Sequence, residues 1–241
     1  MEIKTAAIVL HALKYGESQM IVDLFTRRLG RVSFFCHLPK SGKGKIKKQL
    51  FQPLTILDIV FNYRSQASMQ RFVDLRLAKP FVSVPFEPVK LSISLFLAEF
   101  LNYVTRGEQQ NEPLFDYMED SLLWLDNVAK QYANFHLVFM MRLSRFIGFY
   151  PNLEEGNGNQ WFDLRNSVFT PVRPSHPDYL EPAEASSIAL LMRMDYKNMH
   201  LYRLSLAERN RCTELIIRYY RLHVPGFPEM KSLPVLQALF R

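Results

Sequence analysis

Five lysines stand within nine positions at Lys40-Ser-Gly-Lys-Gly-Lys-Ile-Lys-Lys48, and the two glycines among them keep the backbone pliable. Ammonium groups on such a segment suit a polyanion whose phosphates are met at variable spacing. Arg27, Arg28, Arg31, Arg64, Arg71 and Arg76 add charge on both sides. Residues 1–79 thus carry 14 Lys and Arg against 5 Asp and Glu, a net +9, whereas residues 80–241 carry 16 against 18. A lysine-rich loop standing alone is as readily a solvated connection. Its clustering with arginines in one third of the chain points instead to nucleic acid. The phosphate-neutralising set is expected to be Arg27, Arg28, Arg31, Lys40, Lys43, Lys45, Lys47 and Lys48, with Arg71 in the same patch.

An aromatic signal accompanies the charge. Side chains alternate across a strand, so if Val32, Phe34 and Cys36 face a core, then Arg31, Ser33, Phe35 and His37 face out. Phe35 would then offer a stacking surface beside cations, the usual combination at single-strand sites. With the opposite parity Phe35 is a core residue.

Other chemistries lack their residues. No Gly-x-x-x-x-Gly-Lys-Ser/Thr loop and no Gly-x-Gly-x-x-Gly motif occurs, so the usual glycine-rich nucleotide cradles are unsupported. His11, His37, His136, His176, His200 and His223 are scattered, without metal-ligand spacing. Cys36 and Cys212 stand far apart and form neither a disulfide framework nor a zinc site. The acid pairs Glu119-Asp120 and Glu154-Glu155 have no acid/base partner pattern, so neither catalysis nor a cofactor is expected. The apolar run 91–101 is interrupted by serines and Glu99 and is too short for a membrane span. The start Met-Glu-Ile-Lys-Thr lacks a basic signal region, so a cytoplasmic protein is expected.

The elements that position these residues divide at residue 79. Alternating or β-rich blocks predict strands over 5–13, 20–26, 31–37, 54–63 and 69–77, with turns at Tyr15-Gly16-Glu17-Ser18 and Arg28-Leu29-Gly30 and a long basic loop over 39–52. Five short strands with a long loop after the third fit an OB-type barrel, a single-strand binder; an SH3-like barrel fits nearly as well. Beyond Pro80, Pro85 and Pro88 the apolar period becomes helical, giving helices around 91–104, 114–125 and 135–149. A small hairpin over 161–170 is expected to interrupt them, and a last helix over 205–223 to begin with a Ser205/Glu208 capping box and end at Pro225-Gly226. The fold class is therefore α+β: an OB-type five-stranded barrel at 1–79, then a helical domain at 80–241 with a metal-free hairpin insertion near 154–180.

Several stretches together resemble the RecO family of bacterial recombination mediators. They are Ala7-Ile-Val-Leu-His-Ala-Leu-Lys-Tyr-Gly-Glu-Ser18, Ile21-Val-Asp-Leu-Phe-Thr26, Leu29-Gly-Arg31, residues 54–61, Arg142-Leu-Ser-Arg-Phe-Ile-Gly-Phe-Tyr-Pro-Asn-Leu153 and Lys231-Ser-Leu-Pro-Val-Leu236. The resemblance spans nearly the whole chain and is most specific at the amino terminus. It implies an OB-fold domain, a helical domain, binding of single- and double-stranded DNA, annealing of complementary strands without nucleotide hydrolysis, and loading of recombinase onto DNA coated by single-stranded-DNA-binding protein, together with RecR. Association with the bacterial nucleoid follows from the same likeness. Many relatives carry two Cys-x-x-Cys pairs after the Gly-x-x-Pro-x-Leu segment, but residues 154–180 contain no cysteine. The ribbon must then be held by Trp161, Phe162, Val168 and Phe169 instead of zinc. The family's partner, single-stranded-DNA-binding protein, ends in an acidic tail with a terminal aromatic residue. Arg142 and Arg145, three apart on an expected helix, are placed to grip that tail, with Phe139, Phe146 and Ile147 as its apolar pocket. Pairing of both arginines with acids on a neighbouring helix is the alternative. A scaffold for acidic partner tails and an RNA-binding OB protein are the competing functions.

Overall fold

The structure is a computed structural model that describes residues 1–38, 46–152 and 160–239. Two compact units emerge, Met1–Asn127 with Met230–Leu239 and, separately, residues 128–229. The last barrel strand ends at Lys79 and the first helix begins at Pro88, and the first compact unit continues through two helices beyond that change.

Five strands build the barrel: β1 (Glu2–Tyr15), β2 (Gln19–Thr26), β3 (Gly30–His37), β4 (Ile56–Asn62) and β5 (Phe72–Lys79). Their sheet order is β3-β2-β1-β4-β5, all antiparallel. The long strand β1 serves two neighbours, pairing its first half with β4 and its second with β2. A register shift between Val9 and His11 bends it there, as an extra unpaired residue does. Closure comes from a parallel bridge between Phe34 and Gln70, with the Phe35 amide donating to the Gln70 carbonyl at 2.9 Å and the Gln70 amide to Ser33 at 2.8 Å. This meeting of β3 with the approach to β5 makes the five-stranded sheet an OB-type barrel.

The β3 parity puts Phe34 and Cys36 in the core with Ala7, Val22, Leu57 and Phe61. Phe34 stacks on Phe72 at 4.3 Å and meets Phe61 edge-on at 5.0 Å. Burial pushes the Cys36 thiol up to about 11, so it stays protonated and inert. At the start of β3, Gly30 adopts φ +68°, and a Cβ there would lie 2.1 Å from the Gln109 carbonyl oxygen. Only glycine satisfies both demands.

Helices α1 (Pro88–Val104), α2 (Glu112–Asn127) and the short α6 (Leu233–Ala238) complete the first unit. Phe115 of α2 stacks on Phe25 of β2, ring centroids 6.5 Å apart. The prolines between β5 and α1 mark a pinned crossing. There the Asp126 carboxylate accepts the Val82, Ser83 and Val84 amides, each at 2.8 Å. The buried Lys90 ammonium donates to the Ser83 hydroxyl at 2.6 Å and the Asp126 carbonyl at 3.2 Å.

The second unit contains α3 (Phe135–Leu143), a three-stranded sheet of β6 (Trp161–Asp163), β7 (Val168–Thr170) and β8 (Tyr179–Leu180), then α4 (Pro182–Arg193) and α5 (Leu206–His223). The expected hairpin is β6–β7; the partner strand β8 extends it. The Ser205/Glu208 capping box opens α5 as expected. Along α5, Leu222 is exposed, and Arg209 is drawn inward by the Asn134 side chain and the Leu204 carbonyl, both at 3.0 Å. Among the described residues no helix is long and apolar enough to cross a membrane.

Candidate nucleic-acid interface

The barrel closure itself builds an aromatic–cation platform. The main-chain bond from Phe35 to Gln70 sets the next residue, Arg71, with its guanidinium 5.9 Å from the Phe35 ring centroid. Tyr15, at the end of β1, meets the same ring edge-on at 6.2 Å. Phe35 is half-buried while Tyr15 and Arg71 are exposed, so the outward parity of β3 holds. Sequence reasoning assigns Tyr15 only to a turn. Its alternation with the exposed Leu13 along β1 is the signal that places it outside.

The cations divide by what holds them. Arg28, Lys47 and Lys48 are exposed and have no carboxylate partner among the described residues. Lys47 and Lys48 lie at the start of a single 3-10 turn, Lys48–Phe51, anchored by the buried Phe51. Lys48 also lines a cleft of about 710 Å³ with His11, Tyr103, Glu99 and Lys231. Arg27 is exposed but engaged, with Asp116 at 3.1 Å and Glu112 at 3.6 Å. Lys40, Lys43 and Lys45 lie outside the described residues.

Arg31 departs from its expected role. Its guanidinium donates to the Asn102 carbonyl at 2.5 Å, the Asn102 side-chain oxygen at 2.8 Å and Asp23 at 3.1 Å, and its side chain is only 15% exposed. A cation with these partners is a tie between β3 and α1, not an open phosphate ligand.

The two arginines of the expected partner-tail site are held by other groups of the chain. Helix α3 ends at Leu143, because the Ser144 hydroxyl bonds back to Met141 and the amides of Arg145 and Phe146 reach back three residues to Arg142 and Leu143. Such tightening ends α-helical spacing. Arg145 therefore lies on a turn, its guanidinium stacked over Tyr150 at 4.1 Å and bonded to the Tyr150 hydroxyl at 2.8 Å. Arg142 goes elsewhere, to the Met194 carbonyl at 3.3 Å and Asp195 at 3.9 Å. Phe139 is fully buried, and Phe146 is half-buried.

The small sheet has no thiolate for zinc. Among the described residues no group of three His, Cys, Asp or Glu side chains is placed to hold a metal. A polar hub stands there instead. The Asp163 carboxylate accepts the Arg165 amide (2.9 Å), the Asn166 amide (3.0 Å), the Asn166 side-chain amide (2.7 Å) and His176 Nε2 (3.3 Å). Burial alone would raise the Asp163 pKa, but these donors hold it below the usual carboxylate range. His176 Nδ1 accepts the Asp178 amide, and Arg165 pairs with Asp178 at 2.6 Å. Residues fully engaged with one another do not fit a metal.

Perturbed groups elsewhere are structural. Burial pushes His136 down to about 3 and Tyr219 up to about 12; these side chains hydrogen-bond to Thr213 and Ser167. Their shifts come from packing.

Two family models cover the chain, Recombination protein O N terminal over residues 1–81 and Recombination protein O C terminal over residues 85–234. The DNA repair protein RecO of Bacteroides fragilis is 48% identical over 238 residues, 98% of each chain. That of Phocaeicola vulgatus is 48% identical over 237 residues, again 98% of each, and that of Flavobacterium psychrophilum 34% identical over 241 residues, 100% of each. With an OB-type barrel, a helical unit and these relatives along its full length, the chain belongs to the RecO family of DNA repair proteins.

Proposed function

We propose that this protein is a non-catalytic recombination mediator that binds single- and double-stranded DNA through the outer face of its barrel. The observation that carries the reading is the Tyr15–Phe35–Arg71 platform, where a base can stack on an aromatic ring beside a guanidinium. Arg28, Lys47 and Lys48 supply phosphate neutralisation, together with Lys40, Lys43 and Lys45, which lie outside the described residues. Annealing requires only that two strands be concentrated on one cationic surface, so no hydrolytic step is needed. Loading recombinase onto DNA coated by single-stranded-DNA-binding protein, with RecR as partner, is the role that family membership supports, in the bacterial cytoplasm at the nucleoid.

The test is a salt titration of oligo-dT binding. If about five cations engage the strand, the log–log slope lies near −0.7 per contact, roughly −3 to −4. A slope near zero, or equal affinity for an acidic peptide at matched charge, defeats the DNA reading in favour of a protein scaffold. Tighter binding of RNA of the same sequence favours an RNA-binding role.

A further inference from the structure

A polar cavity of about 390 Å³ opens beside the barrel closure, lined by Arg31, Ser33, Ser68, Gln70, Arg106 and Glu108 among others. Two guanidinium groups border it. Arg31 is held by Asp23 and Asn102. Arg106, on the turn after α1, is exposed; it stacks on the Tyr103 ring at 4.8 Å and has no carboxylate partner among the described residues. Burial lowers the Arg31 pKa, Asp23 raises it, and Arg106 lowers it again, so the two cations repel across the cavity. An anion in the cavity offsets that repulsion and gains charge-assisted hydrogen bonds from the Arg106 guanidinium, while Arg31 acts only through its charge.

The walls are already fixed. The Gln70 carboxamide donates to the carbonyls of Arg64 and Ala67 and accepts the Arg64 amide, and Ser33 donates to Asp23 at 2.5 Å. A cavity whose frame is set before binding spends little on ordering. The exposed Ser68 hydroxyl adds a donor at the mouth. Among the described residues Glu108 is the one carboxylate lining it; its backbone carbonyl accepts the Arg31 amide at 3.1 Å.

We propose that this cavity is a phosphate subsite, with Arg106 as its principal ligand. It rests on the DNA reading and deepens it. Ser33 lines the cavity and Phe35 carries the platform, and both point outward from β3, roughly 7 Å apart along the strand. A single strand crossing β3 reaches both, seating a base on Phe35 and a phosphate beside Arg106. Free phosphate compounds share this chemistry, and the test separates the two sources.

The full-length protein is titrated with oligo-dT by fluorescence anisotropy at several salt concentrations, as unaltered chain, Arg106→Ala, Glu108→Gln and Phe35→Ala. Arg106→Ala is expected to weaken binding on the order of fivefold and to flatten the salt slope by about 0.7, while Glu108→Gln tightens binding. Unchanged affinity and slope in Arg106→Ala, alongside weakened binding in Phe35→Ala, overturns the subsite and leaves the DNA reading standing. If the unaltered protein binds no oligonucleotide, the DNA reading falls and inorganic pyrophosphate decides the cavity by thermal shift. A rise in melting temperature that Arg106→Ala abolishes supports an anion site for free phosphate compounds. No rise, or one that Arg106→Ala retains, overturns it.

Discussion

The Arg31 guanidinium on β3 grips the main-chain carbonyl and side-chain oxygen of Asn102 on α1, 71 positions later in the chain. Asp23 on the adjacent strand β2 completes the cluster, 3.1 Å from Arg31 and 2.5 Å from the Ser33 hydroxyl. A residue that composition marks as a DNA ligand is thereby a tie between barrel and helix.

Arg31→Lys is expected to destabilise the protein by about 1–3 kcal/mol, because an ammonium cannot span the fork of acceptors and leaves the Asn102 oxygens short of donors. Arg28→Lys, at an exposed position, is expected to change stability by less than about 0.5 kcal/mol. Urea unfolding of both variants checks the contrast; equal stability of the two would show that the Asn102 contact contributes nothing.

Phe35→Ala is expected to weaken oligo-dT binding by about 1–3 kcal/mol, the range for one lost base stack, and to lower stability less than a core truncation such as Phe34→Ala. Changing Lys40, Lys43, Lys45, Lys47 and Lys48 together to alanine is expected to flatten the salt slope by about 0.7 for each lysine that meets a phosphate. An unchanged slope would remove the loop from the interface.

Asp163→Ala is expected to cost about 1–3 kcal/mol, since two backbone amides and the Asn166 side chain lose their acceptor. Because the folded Asp163 pKa is depressed, its contribution is present above the unfolded carboxylate pKa of about 3.9 and is lost as pH falls through the lower folded value. A chelator is expected to leave the melting temperature unchanged. Stoichiometric zinc whose removal lowers that temperature would replace the hydrogen-bonded hub with a metal site.

His136 is fully buried beside Thr213, and burial holds its pKa at about 3. The unfolded chain, with a histidine pKa of about 6.5, takes up the proton first as pH drops. Stability therefore falls on acidification between about 6.5 and about 3, with a slope of up to about 1.4 kcal/mol per pH unit from this group. Thermal melts across that range should show a shallower slope in His136→Gln; an identical slope would assign the acid sensitivity to other groups.

Whatever depends on neighbours along the chain is legible in the amino-acid sequence alone. Side-chain alternation places all five barrel strands but leaves open which face of β3 carries Phe35, a parity the packed core decides; the change to a period near 3.6 places α1, α2 and the start of α3; Ser205 and Glu208, three apart, cap α5. These signals are local because strand pleat, helix pitch and capping geometry each span only a few residues. The net +9 of residues 1–79 likewise needs only composition. What each cation meets is decided by tertiary structure. Arg27 and Arg31 are claimed by helix residues distant in sequence, whereas Arg71 reaches Phe35 through a bridge joining residues 34 and 70. Arg145 departs from its expected helix for a related reason: the apolar pattern runs on past Leu143, but the Ser144 hydroxyl bonds back to Met141 and the helix ends. Periodicity records which positions are apolar. It does not record which competing hydrogen bond wins, and that depends on partners the fold brings together.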